Sequence, residues 1–201
     1  MIVIAITGGV ACGKSLVAKK LRQGLSLPFF SSDDCVAGLL RREPLQNEIL
    51  KLLGETGCRS AEVFDKKVIR KHAFENSDFR EKLEMLLHPL VLDEAVEFLE
   101  EEKDRAKISL VEVPLLYEVE FPLKRNIDLV VAASPLTQLA RLTVDRGLDE
   151  QLAKQILNAQ LLIDEKIRRA DVVVWNDGSL ESLNSQVTHL ADRCSLLFND
   201  R

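Results

Sequence analysis

Three patterns follow one another without a gap between residues 2 and 24. Ile2–Thr7 is a continuous apolar run; Gly8-Gly9-Val10-Ala11-Cys12-Gly13-Lys14-Ser15 sets three glycines, at the two ends of the loop, ahead of a Lys-Ser pair; Lys14–Gly24 carries Leu16, Val17, Ala18 and Leu21 at helical spacing. An apolar run of that length reads as a strand covered on both faces of a parallel sheet. Glycine is needed at the two ends of the loop because the backbone there wraps tightly, turning its N–H groups onto an anion. A helix starting near Lys14 adds the positive end of its dipole to the same place. Strand, loop and helix in this order predict a phosphate cradle over Gly8–Ser15. Lys14 would reach the β- and γ-phosphates of a bound nucleoside triphosphate, ATP, and the Ser15 hydroxyl would ligate Mg²⁺.

The other β-branched, apolar stretches are Pro28–Ser31, Ile108–Val113, Ile127–Ala133 and Asp171–Trp175, and helical patterns separate them. Alternation of this kind predicts right-handed βαβ units: a three-layer α/β/α fold around a five-stranded parallel sheet. The interval between the second and third stretches is too long for one crossover. Residues from about 35 to 105 are therefore expected to form a helical insertion, with the core made of about 1–34 and 106–201. Within the insertion Asp78–Lys103 reads as a long helix that His88-Pro89 interrupts. Further helices are expected over Cys35–Leu40, Pro135–Asp145 and Ser179–Phe198.

With 201 residues, 46% apolar and 29% charged, the chain suits one soluble domain. The formal net charge of −5 comes without a basic stripe, which argues against nucleic acid or an anionic membrane as the main partner. Cysteines 12, 35, 58 and 194 show no metal-ligand spacing and read as reduced thiols of a cytoplasmic protein. The first strand lacks a basic flank and is not read as a signal peptide.

Neither an Asn-Lys-x-Asp string nor an Asp-x-x-Gly string occurs, so a guanine-nucleotide switch is disfavoured. A kinase requires an acceptor site facing the γ-phosphate and arginines to neutralise the transferring group. Asp33 and Asp34 follow the second strand, where α/β sheets place their ligand crevice, and one could accept a hydroxyl proton. The alternative is a helix N-cap. Glu112 and Glu118 flank the end of the third strand as holders of water or a substrate group, or, for Glu118, as a solvated loop acid. His88 reads as structural or as a ligand contact. Arg141 and Arg146 read as a solvated helix face or as phosphate-binding arginines of a lid.

These residues, taken in order, resemble the dephospho-coenzyme A kinase family almost end to end. The likeness rests on Thr7-Gly8-Gly9 with its loop, Asp34 followed by Val36-Ala37, Phe64–Phe74, Leu87-His88-Pro89-Leu90 and Val113-Pro114-Leu115-Leu116-Tyr117-Glu118. It continues through Ser134–Arg141, Gln155–Gln160, Lys166, Ala170-Asp171 and Asn176. The resemblance implies ATP-dependent phosphorylation of the ribose 3′-hydroxyl of dephospho-coenzyme A, the last step of coenzyme A synthesis. It implies Asp34 as general base and Lys14 and Arg141 as catalytic cations. Arg146 and Asn176 would join the nucleotide site, with a lid over about 140–165. Thr7, Asp33, His88, Pro114, Leu115 and Glu118 would lie on the acceptor side. The chain departs from the family pattern at Ser32, where the first Asp of Asp-x-Asp is usual. It departs again at Ala11-Cys12 and Leu16, where small or hydroxyl residues are commoner, and at Glu112, often Asp. Another nucleotide kinase and a non-enzymatic nucleotide-binding protein remain the alternatives.

Overall fold

The structure is a computed structural model and describes residues 1–58, 64–119 and 121–199. Its centre is a sheet of five parallel strands: β1 (Ile2–Gly8), β2 (Phe29–Ser31), β3 (Ile108–Glu112), β4 (Ile127–Ala132) and β5 (Val172–Trp175), in the spatial order β2-β3-β1-β4-β5. Central β1 and β3 are almost wholly buried, as their unbroken apolar runs require. In the register, Ile6 and Ser31 both stand beside Glu112, and Gly8 beside Val131, so the C-terminal ends of four strands gather along one edge. That edge is where a parallel sheet presents its loops to a ligand.

Helix α1 (Lys14–Leu25) returns from that edge with Val17, Ala18 and Leu21 buried, and packs against α9 (Leu180–Asn199). The remaining helices are α2 (Ser32–Leu39), α3 (Glu43–Glu55), α4 (Lys66–Glu75), α5 (Ser77–Glu102), α6 (Pro135–Ala140), α7 (Glu150–Asn158) and α8 (Ile163–Arg169). β5 is an edge strand, and the Gln186 side chain from α9 occupies its backbone at Trp175. Gln186 Oε1 accepts from Trp175 N at 3.0 Å, and Nε2 donates to Trp175 O at 2.8 Å.

The chain divides into two compact units, Met1–Ser31 with Glu97–Arg201, and Ser32–Val96. The second unit is helical around buried Leu39, Leu45, Ile49, Leu53, Ile69, Phe79, Val91 and Ala95. Its turns are capped locally: Asp65 accepts from Lys67 N and Asn76 from Phe79 N. The His72 ring packs at a tilt of 57° against Phe79, with ring centroids 4.8 Å apart, and its Nε2 lies 3.0 Å from Thr56 Oγ1. Residues 59–63, inside the expected insertion, lie outside the described residues.

Three local expectations need correction. α5 runs unbroken through Pro89 rather than being interrupted at His88-Pro89. The proline is exposed, and so is Met85 one turn earlier, whose carbonyl is the one a proline deprives; a carbonyl on the solvent side can turn to water. α2 begins at Ser32, directly after β2, so Asp33 and Asp34 stand in its first turn rather than capping a helix that starts at Cys35. The stretch read as one helix over Pro135–Asp145 is α6 followed by a π-turn, Arg141–Asp145, a rare wide turn that recurs at functional sites. The four cysteines are free thiols, and among the described residues no helix is long and apolar enough to cross a membrane.

Candidate active site

The loop between β1 and α1 is held in shape by backbone requirements and by side chains from distant elements. Gly8 has φ 147°, and a Cβ there would lie 2.0 Å from the Val131 carbonyl oxygen of β4. Gly13 has φ 88°, and its Cβ would meet Asn176 Nδ2 at 2.5 Å. No L side chain satisfies both demands, so glycine at the two ends is a packing necessity as well as a conformational one. Arg141 donates to the Ala11 carbonyl at 3.0 Å and to the Asn176 carbonyl at 2.7 Å. Asn176 Nδ2 donates to the Cys12 carbonyl at 2.8 Å. Gln160 Oε1 accepts from Val10 N at 2.8 Å, and Lys166 Nζ donates to the Gly8 carbonyl at 3.3 Å. The loop's acceptors are thus spent on the protein. The N–H groups that open α1 are those a helix leaves without intrahelical partners, and they are the donors suited to an anion.

Two charged or polar side chains complete the cradle. Lys14 Nζ lies on the Gly8 and Gly9 carbonyls, at 3.2 and 3.0 Å. Ser15 Oγ donates to Glu112 Oε1 at 3.3 Å, and Glu112, the last residue of β3, is buried. A hydroxyl and a carboxylate side by side next to a phosphate loop are hard oxygen donors and suit Mg²⁺, which keeps several waters and takes phosphate oxygens as further ligands.

Beside the loop is a cavity of about 350 Å³ whose walls include Ala11, Leu16, Arg141, Arg146, Asn176 and Leu180. Six residues singled out from the sequence, Ala11, Gly13, Leu16, Arg141, Arg146 and Asn176, therefore share one hollow. Asp177, next along from Asn176, accepts from Ser134 N at 2.8 Å. Burial opposes its ionisation, but hydrogen bonds from Ser134 and Thr137 outweigh it and hold the carboxyl below the usual carboxylate range.

The turn after β3 is fixed as firmly. Thr7, fully buried at the end of β1, donates from Oγ1 to the Pro114 carbonyl at 3.1 Å. Tyr117 donates to Asp128 at 3.1 Å; burial, then the neighbouring Asp128 carboxylate, push its phenol far above the ordinary value, so it stays protonated. Glu118 is not a solvated loop acid: its Oε1 lies 2.6 Å from the ammonium of fully buried Lys166 and accepts from Leu161 N at 3.3 Å.

A family model described as dephospho-CoA kinase matches residues 2–182. The chain belongs to the dephospho-CoA kinase family. A protein named dephospho-CoA kinase from Thermosynechococcus vestitus is 36% identical over 185 residues, covering 92% of this chain and 90% of that one. One of the same name from Bacillus cereus is 31% identical over 188 residues, covering 92% and 94%. A crystal structure from Thermus thermophilus superposes with a TM-score of 0.76 at 30% identity, over 95% of this chain and 97% of the other. Dephospho-CoA kinase from Campylobacter jejuni shares the fold, with a TM-score of 0.69 at 22% identity and 96% of each chain covered. The kinase fold and family expected from the sequence resemblance are therefore those of this protein.

In this dephospho-CoA kinase family member the remaining candidates are placed as follows. Asp33 and Asp34 are exposed in the first turn of α2, and His88 is half-buried in α5; all three belong to the helical unit. Leu115 is half-buried in the turn after β3. Cys12 is fully buried beneath the loop, and burial pushes its thiol up, so it fills space and is no nucleophile. Sequence reasoning did not single out Gln138, Gln160 or Lys166 as functional. Gln138 is buried, donates to the Ala133 carbonyl at 2.9 Å and presents Oε1 2.6 Å from where a Gly9 Cβ would be. The signal available for Gln160 and Lys166 was their place in the family resemblance; spacing alone says nothing of a glutamine or a lysine.

Proposed function

We propose that the chain transfers the γ-phosphoryl group of ATP to the ribose 3′-hydroxyl of dephospho-CoA, giving CoA and ADP, the last step of CoA biosynthesis, in the cytoplasm. The observation that carries this is the braced Gly8–Ser15 loop, with Lys14 and the Ser15–Glu112 pair, in a chain that belongs to the dephospho-CoA kinase family.

Backbone N–H groups at the end of the loop and the start of α1, together with the Lys14 ammonium, hold the β- and γ-phosphates, while Val10 N stays on Gln160; Arg141, Arg146 and Asn176 border the nucleotide in the adjoining hollow. Ser15 and Glu112 would hold Mg²⁺, which when bound neutralises charge on the phosphate oxygens. Residues of about 140–165 form the lid that excludes water during transfer. On the acceptor side Asp34 orients the 3′-hydroxyl and takes its proton, with Asp33 beside it. Thr7, Pro114, Leu115 and Glu118 shape the acceptor end of the sheet edge. The helical insertion, His88 included, receives the coenzyme.

Incubation with ATP, Mg²⁺ and dephospho-CoA, followed by mass analysis and positional digestion, should yield CoA phosphorylated at the 3′ position. Transfer to nucleoside monophosphates in its place would overturn the substrate assignment, and binding without transfer would overturn the kinase reading. Asp34→Asn should lower kcat by about two to four orders of magnitude. Full turnover in that variant would move the base elsewhere.

A further inference from the structure

Lys166 is fully buried, an unusual state for a lysine, and it has two partners: Glu118 Oε1 at 2.6 Å and the Gly8 carbonyl at 3.3 Å. The same carbonyl accepts from Lys14 at 3.2 Å. We propose that Lys166, paired with Glu118, is a positioning residue of the phosphate loop: it keeps the Gly8 carbonyl occupied, so that Lys14 can leave that carbonyl for the triphosphate. This rests on the reading of Gly8–Ser15 as the ATP site.

A carbonyl oxygen has two lone pairs and can take both ammonium groups at once. When Lys14 turns to the phosphates, it withdraws one of two charge-assisted bonds. The Gly8 backbone packs closely against β4, where an added Cβ would lie 2.0 Å from the Val131 carbonyl oxygen, so the peptide has little room to turn toward a replacement. A lone buried carbonyl would oppose the departure of Lys14, as an unsatisfied acceptor is costly. With Lys166 in place the carbonyl stays satisfied. Glu118 makes this tolerable by balancing the second positive charge beside Lys14, and it is itself anchored by Leu161 N. The neighbouring Gln160 holds Val10 N, so the short stretch from 160 to 166 grips the loop at two points, Gly8 and Val10.

A stabilising role alone would not call for this arrangement. A buried ion pair contributes little net stability, and apolar residues of similar volume often do as well or better. What an apolar pair cannot do is donate to Gly8.

That difference gives the test. Full-length wild type, Lys166→Met and the double variant Glu118→Met/Lys166→Met are compared by thermal melting and by calorimetric titration with ATP and, separately, with adenosine. Lys166→Met alone is expected to melt lower, because it strands the Glu118 charge. The double variant should recover the melting temperature and still bind ATP about tenfold more weakly than wild type, with adenosine affinity unchanged. If the single variant does not fold, the double variant carries the comparison. Wild-type ATP affinity in the double variant would show that the pair only packs, and a parallel loss for ATP and adenosine would show general loosening; either overturns the proposal. Wild-type protein that binds ATP no tighter than adenosine would remove the underlying reading of the loop, and this is seen before any variant is compared.

Discussion

Around Gly8–Ser15, side chains 130 to 164 residues away in sequence, Arg141, Gln160, Lys166 and Asn176, end on a few consecutive backbone groups. In Ser32–Val96 the side-chain bonds mostly join neighbours: Asp65 to Lys67, Lys82 to Asp78, Asn76 to Phe79, with Arg42 to Glu94 the longest reach among the described residues. The two regions are ordered by different means. The loop cannot change shape unless the elements that carry its braces move with it. The helical unit is held by its own small core and mostly by bonds within a turn or between neighbouring helices. A site that must present fixed donors to a highly charged ligand gains from the first kind of order. If the helical unit receives the coenzyme, as proposed above, the second kind of order would suit a long, jointed ligand.

The contrast can be broken most severely at Gly8. Gly8→Ala sets a Cβ against a backbone carbonyl that has no room to yield, and the expected outcome is little or no soluble, folded protein. Recovery of a wild-type melting curve would mean the loop is far more pliant than its contacts indicate. Lys14→Ala is next: the fold should persist, with kcat/KM reduced by about a thousandfold or more in the coupled assay. Phe79→Ala, in the core of the helical unit, should cost about 3–5 kcal/mol in denaturant titration. ATP titration of that variant at low temperature should match wild type, and a large loss of ATP affinity would show that the two kinds of order are coupled. The smallest effect belongs to Asp177. Its carboxyl titrates below the unfolded value of about 4, so it stabilises the fold above that pH. The contribution fades as the pH falls through its lowered value, and Asp177→Asn should shrink the acid-side rise in stability, read by melting across a series of acid pH values.

The sheet was legible because strands buried on both faces must be apolar throughout, and Ile2–Gly8, Ile108–Glu112 and Ile127–Ala132 announce themselves by composition. The loop was legible because its glycines and Lys-Ser pair answer a chemical demand. Pro89 misled because a proline's effect depends on which side of the helix it faces, and exposure is a tertiary fact. The π-turn at Arg141–Asp145 leaves no mark on residue spacing, since one extra residue per turn still reads as helix. Lys166 was hidden for a related reason. A lysine is taken as solvated until its partners are known, and Glu118 and Gly8 lie 48 and 158 positions away along the chain, by subtraction and as the bond itself spans.

One further consequence follows from Gln186. Its primary amide offers a donor and an acceptor a short distance apart, the same pair a neighbouring strand would offer, and it fills both positions at Trp175. An incoming strand from another molecule would have to strip away that amide before it could add to the sheet. At that point of β5 a side chain thus does what a covering loop does elsewhere, blunting the edge against strand addition.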